Sequence, residues 1–108
     1  LIGVQAASTA PVVHAKGSII KYEKPRTKAD AIAVGYPTYG TQVIEAVGNT
    51  KGMLTTVSDR EMEVWQRRFY EEYGLEAELA GVASLAAYSK LRSSIKGKTV
   101  ALITGANL

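Results

Sequence analysis

Three short apolar runs set the terms on which this chain can fold. They are Ile2-Gly3-Val4-Gln5-Ala6, Met53-Leu54-Thr55-Thr56-Val57 and Thr99-Val100-Ala101-Leu102-Ile103. Each has the length of a strand and runs out into small or polar residues, and helical patterns fill the stretches between them. Strands that alternate with helices pair parallel through right-handed crossovers, because a tight hairpin cannot join parallel neighbours. The expectation is an α/β fold, and in open sheets of that kind ligands sit off the carboxyl ends of the strands. Those ends carry Gln5 to Thr9, Ser58-Asp59 and Thr104 to Asn107.

The stretches between the runs divide further. Pro11 suits the first position of a short helix over Val12 to Ala15, stopped by Gly17, and residues 18–28 read as a surface excursion around Pro25. Lys28 to Val34 has the composition for about two helical turns. Thr38 or Thr41 can cap a helix over Gln42 to Val47, closed by Gly48-Asn49. Ser58-Asp59-Arg60-Glu61 is the clearest local signal, a capping box, and it opens a helix with Met62, Trp65, Phe69 and Tyr73 on one stripe before Gly74. Glu76 to Leu91 reads as a second, mostly buried helix. No repeat or internal linker divides residues 1–108, which read as one α/β unit.

Composition narrows the function classes. The 108 residues are 46% hydrophobic with a net charge of +3, an ordinary globular balance. The absence of cysteine excludes a disulfide scaffold and a Cys-ligated metal centre, and the single histidine, His14, argues against a multi-His metal site. No run reaches the ~18 apolar residues of a membrane span. The basic stretches Lys16 to Lys28 and Lys90 to Lys98 lack the interleaved aromatics of a nucleic-acid groove, so neither a membrane nor a nucleic-acid partner is expected. The chain opens on Leu1 and reads as a piece of something longer.

Among the residues able to do chemistry, Thr104-Gly105-Ala106-Asn107 stands out. A hydroxyl ends a buried-type strand beside a glycine that permits close backbone approach, and Asn107 adds a donor and an acceptor. The residues alone leave a structural role open, with Thr104 bonding a neighbouring carbonyl and Gly105 making a turn. Glu78 is a carboxylate in an apolar stretch, either functional or engaged with a helix start. Glu61 and Asp59 are explained by the helix that they open, His14 has no evident partner, and Trp65 and Phe69 read as core. Gly35-Tyr36-Pro37-Thr38-Tyr39-Gly40 lacks the spacing of a phosphate loop.

Four segments, in order, carry a family resemblance: Ile2 to Ala15 (IGVQAASTAPVVHA), Thr27 to Pro37 (TKADAIAVGYP), Val57 to Glu61 (VSDRE), and Gly74 to Ala87 (GLEAELAGVASLAA) followed by Val100 to Leu108 (VALITGANL). The chain resembles the C-terminal part of pyridoxal-phosphate enzymes of fold type II, the group of threonine synthase and threonine/serine dehydratase. The resemblance implies parallel strands with crossover helices, as a three-layer part of that group's large domain, with pyridoxal 5'-phosphate as cofactor. It makes Thr104 the donor to the pyridine nitrogen, sets Gly105 and Asn107 in the wall beside the ring, and matches Glu78 to a family glutamate whose usual proline neighbour is Leu79 here.

Gln5-Ala6, Ala10 to Val13, Gly35-x-Pro37 and Ala83 to Ala86 look like threonine synthase. Ala29-Asp30-x-Ile32-Ala33-Val34, Ala80-Gly81 and Asn107 lean towards dehydratases. Residues 5–11 carry none of the carboxylates that some dehydratases and racemases use for a cation, so no metal is expected. The family's Schiff-base lysine and glycine-rich phosphate loop lie upstream of anything in this sequence. The resemblance therefore implies a cytoplasmic, homodimeric lyase acting on a small amino acid, of which these 108 residues alone are inactive. The alternative of another class is a non-catalytic α/β binding or oligomerisation module.

Overall fold

The sheet is built from the first two apolar runs. In the computed structural model, which describes residues 1–106, Ile2–Ala6 form strand β1 and Met53–Val57 form strand β2. They pair parallel, Ile2 opposite Met53 through Ala6 opposite Val57. The Leu1 carbonyl accepts from Met53 N at 3.1 Å, and Ala7 N donates to the Val57 carbonyl at 2.8 Å. In a parallel ladder alternate residues bond to one neighbour, so the odd-numbered residues of β1 face β2 with their backbone groups. Those of Ile2 and Val4 point to the opposite edge.

Helices cover both faces. Helix α1, Gly40–Asn49, lies on the face of Gly3 and Leu54: a Cβ on Gly3 would sit 2.7 Å from Leu54 Cδ2 and 3.7 Å from Val47 Cγ2, so the missing side chain is the space that Leu54 fills. Val4, Ala6 and Val57 point the other way, into a core shared with helix α2, Asp59–Tyr73, and helix α3, Ala83–Leu91. Most of that core is alanine, and Met62, Val57 and Val82 are its largest fully buried side chains. This is the expected α/β fold, parallel strands with helices on either side.

Helix α2 begins and ends where its sequence says. Ser58 Oγ accepts from Glu61 N at 3.0 Å, and Gly74 takes the left-handed conformation (φ 67°) while its N–H closes on the Tyr70 carbonyl at 2.8 Å. The reciprocal half of the capping box is not made. The Glu61 carboxylate turns instead to Lys90 Nζ, 3.4 Å away. The apolar stripe is buried only at its start: Met62 is fully buried, Trp65 and Phe69 are half-buried, and Tyr73 is 65% exposed with its ring 5.3 Å from that of Phe69.

Several expected elements are shorter or missing. Residues 11–14 make turns rather than a regular helix, with His14 N on the Ala10 carbonyl at 3.1 Å, and Gln5 Oε1 accepts from the N–H groups of Val12 and Val13 at 2.9 and 3.1 Å, as an acceptor does at a helix start. Of Lys28 to Val34, only Asp30–Ile32 is helical, as one 3-10 turn. Neither Thr38 nor Thr41 caps α1, whose N-cap is Tyr39 with no side-chain bond. The helix expected from Glu76 starts only with the 3-10 turn Ala80–Val82: the Ala77 carbonyl accepts from Gln66 Nε2 (2.9 Å), and Gly81 N bonds the Glu78 carbonyl (2.9 Å) in its place, while Glu78 N donates to the Gly105 carbonyl (3.1 Å).

The third expected strand, Thr99 to Ile103, is not formed. A cleft lined by Ile2, Val4, Ala87, Tyr88, Val100 and Leu102 separates this segment from β1. What holds it is Ser84 Oγ, which donates to the Leu102 carbonyl at 2.7 Å. An apolar run becomes a strand only where a neighbour completes its ladder. Among the described residues, no helix is long and apolar enough to cross a membrane.

Candidate functional site

The three segments marked out as strand ends have different fates. At the end of β1, Gln5 holds the Val12 and Val13 amides, and the buried Thr9 hydroxyl accepts from Arg26 N at 3.2 Å. At the end of β2, Ser58 caps α2. Asp59 accepts from the Thr27 hydroxyl at 2.5 Å and from Lys28 N at 3.0 Å. Thr27 Oγ1 in turn accepts from Ala29 N at 3.1 Å. These side chains lace residues 26–29 onto the start of α2 and are engaged in holding the fold.

The third segment is arranged differently. Glu78 N donates to the Gly105 carbonyl, and the Glu78 carboxylate lies over the Cα of Gly105 so closely that a Cβ there would collide with Oε1 and Cδ. From the other side, a Cβ on Gly81 would sit 2.7 Å from the Gly105 carbonyl oxygen. Two glycines thus let the turn at 78–82 and the segment at 104–106 come into backbone contact, with one carboxylate filling the place of a missing side chain. Thr104 is exposed, and its hydroxyl has no partner among the described residues. Asn107 lies outside the described residues.

Thr104, Gly105 and Glu78 are therefore close neighbours, though far apart in sequence. Gly81 belongs with them, and in the sequence it stands out only as a family marker. A glycine inside an otherwise helical alanine-rich pattern is the signal that would have found it, since such a glycine marks close backbone approach. The remaining candidates have structural surroundings. His14 is exposed, and Tyr22 N donates to the Gly35 carbonyl at 2.9 Å, so the glycine-rich 35–40 stretch is docked onto the 22–25 turn. Lys28 Nζ lies 2.9 Å from Glu63 Oε1, and that hydrogen bond and charge raise the lysine pKa above its ordinary 10.5.

A family model described as pyridoxal-phosphate dependent enzyme matches residues 1–105. Among curated relatives, threonine synthase of Methanocaldococcus jannaschii is 30% identical over 84% of this chain and 24% of its own length. Threonine synthase of Bacillus sp. (strain ULM1) is 36% identical over 98% of this chain and 30% of its own length. The biosynthetic L-threonine dehydratase of Lactococcus lactis is 30% identical over 99% and 26%. The chain spans about a quarter of the length of the curated relatives it matches. In architecture it is similar to the crystal structure of a threonine deaminase from T.th., with a TM-score of 0.85 and 23% identity over 99% of this chain and 39% of that one.

Proposed function

The chain belongs to the family of pyridoxal-phosphate-dependent enzymes, and from that premise we propose that Thr104, Gly105 and Glu78 form the part of its site that meets the cofactor's pyridine ring. The observation that carries this reading is the exposed Thr104 hydroxyl, without a partner among the described residues, beside a glycine packed directly on a glutamate. The donor set suits the group. A hydroxyl can donate to the ring nitrogen without protonating it. Gly105 keeps the wall flat where the ring would lie, and Glu78 fixes that wall from behind. Asn107 is assigned to the same wall. The lysine that carries the cofactor and the loop that binds its phosphate are assigned to parts of the enzyme outside these 108 residues.

When bound, the cofactor supplies an electron sink for bonds broken at the substrate's α-carbon. An uncharged ring partner tempers that sink and favours elimination and replacement at the β- and γ-carbons. The full-length protein is then a cytoplasmic, homodimeric lyase acting on an amino acid. Most of the similar curated proteins are threonine synthases, which supports the reaction of O-phosphohomoserine and water to threonine and phosphate. The second reading, deamination of threonine or serine, is supported by the dehydratase relative that covers 99% of the chain.

The test is Thr104→Val in the full-length enzyme. Loss of one placed hydrogen-bond donor should lower kcat by about 100-fold or more, while Thr104→Ser keeps most of the activity. Unchanged turnover in Thr104→Val would remove Thr104 from the site. Phosphate release from O-phosphohomoserine, set against 2-oxo acid formation from threonine, separates the two substrate readings.

A further inference from the structure

We infer that helix α2 sets the position of the cofactor wall, gripping the 77–82 segment through two arms that start at Asp59 and Gln66; this rests on the reading of Thr104, Gly105 and Glu78 as that wall. The first arm is a chain of hydrogen bonds. Asp59 accepts from the Thr27 hydroxyl (2.5 Å) and from Lys28 N (3.0 Å), and Thr27 Oγ1 accepts from Ala29 N at 3.1 Å. Ala29 is fully buried, in one core with Ala77, Ala80 and Val82. From it the chain runs into the 3-10 turn Asp30–Ile32, which packs against the turn Ala80–Val82. The second arm is direct: Gln66 Nε2 donates to the Ala77 carbonyl at 2.9 Å. Asp59 and Gln66 stand two turns apart on one side of α2, about 10 Å along its axis.

What the arms hold has no frame of its own. Residues 74–78 belong to no helix or strand, so Glu78 stands where its contacts put it. On one side those contacts are with Gly105, through the Glu78 N–H bond of 3.1 Å and the close approach of Gly81. On the other side they are the two arms. A wall that fixes a bound ring works only if its supports are themselves locked by packing and hydrogen bonds. Thr27 meets that condition: it is 8% exposed, and its hydroxyl donates to Asp59 while accepting from Ala29 N, which fixes its direction. An apolar side chain at position 27 would fill the same space but leave the buried Ala29 N–H without an acceptor. Asp59 and Gln66 are thus positioning residues, acting on Glu78 and Gly105 through the segment they hold.

Two variants of the full-length enzyme test the grip. Thr27→Val keeps the shape and removes the hydroxyl, and Gln66→Ala removes the second arm without touching residues 27–32. Each should speed hydrogen exchange at the Glu78 amide by about 10-fold or more while the amides of β1 and β2 keep their rates. Each should also lower kcat by about 10-fold or more, the mark of a displaced wall, and Thr27→Ser should restore both readouts. If Thr27→Val does not fold, Gln66→Ala carries the test alone. Unchanged exchange at Glu78 would overturn the inference, and so would exchange quickened equally throughout the sheet, which is general loss of stability. Faster exchange at Glu78 with full turnover overturns it where Thr104→Val is impaired. Where Thr104→Val also keeps full turnover, the cofactor assignment falls and the grip of α2 on the 77–82 segment stands.

Discussion

At Gly105 a single hydrogen atom stands where any other residue would carry a carbon, and the Glu78 carboxylate occupies the space. Gly105→Ala should therefore push the mobile end of the half-buried Glu78 side chain aside and destabilise the protein modestly, by about 0.5–1 kcal/mol. Glu78→Ala in the same molecule removes the colliding atoms and should restore most of the loss, so the two changes are non-additive in denaturant midpoints. Additive effects would mean that the contact is not the cause. Lys28 supports a second expectation at this scale. Its pKa is raised by Glu63, so the charged form is favoured in the folded state and the stabilisation is present at neutral pH. It is lost as pH climbs through the raised value, above 10.5. The stability difference between the protein and Lys28→Gln, followed by thermal unfolding, should hold steady through neutral pH and shrink in that alkaline range. A difference that already fades between about pH 6 and 9 would assign it to another group, since only a group of lower pKa titrates there. Thr104, Gly105 and Glu78 could be named from sequence because each is chemically out of place in its surroundings. Their contact could not, since it depends on Gly81 and on where a distant turn docks.

Local signals in the sequence were reliable where the partner lay within a few residues. Ser58 and Gly74 both mark true ends of α2, because a cap and a left-handed terminus are satisfied inside one turn. The same box misled about Glu61, whose carboxylate finds Lys90, a partner no local pattern could announce. Ser58→Ala should cost about 1 kcal/mol through the lost Glu61 N–H bond, whereas Glu61→Gln should cost clearly less, since its side chain makes no cap. Equal losses in chemical denaturation would restore the full capping box. The elements that failed to appear depend on partners far off in sequence. Gln66 takes the Ala77 carbonyl that a helix from Glu76 would have used, and Thr99 to Ile103 lacks the neighbour that would make it a strand. Apolar periodicity reports what a segment could bury, not whether the burying surface is present.

The whole molecule is a slab of 42 × 35 × 20 Å whose core is largely alanine. Alanine buries little area, so at ~25 cal/mol per Å² such a core contributes modestly against the entropy of ordering the chain. Meanwhile large apolar side chains stay outside: Val100 is 85% exposed, Leu102 70% and Leu1 68%, all at the cleft beside β1. A contiguous apolar patch with an open strand edge drives association unless something covers it. The 108 residues, prepared alone, should therefore self-associate, with a sedimentation coefficient that rises with concentration and a broad unfolding transition. Val100→Asp and Leu102→Asp should weaken that association. Both side chains face solvent, so neither change should alter the stability of the monomer by more than about 0.5 kcal/mol. A monomer at every concentration, unfolding in one sharp step, would show that the exposed face needs no cover and would return the chain to the reading of a free-standing α/β module.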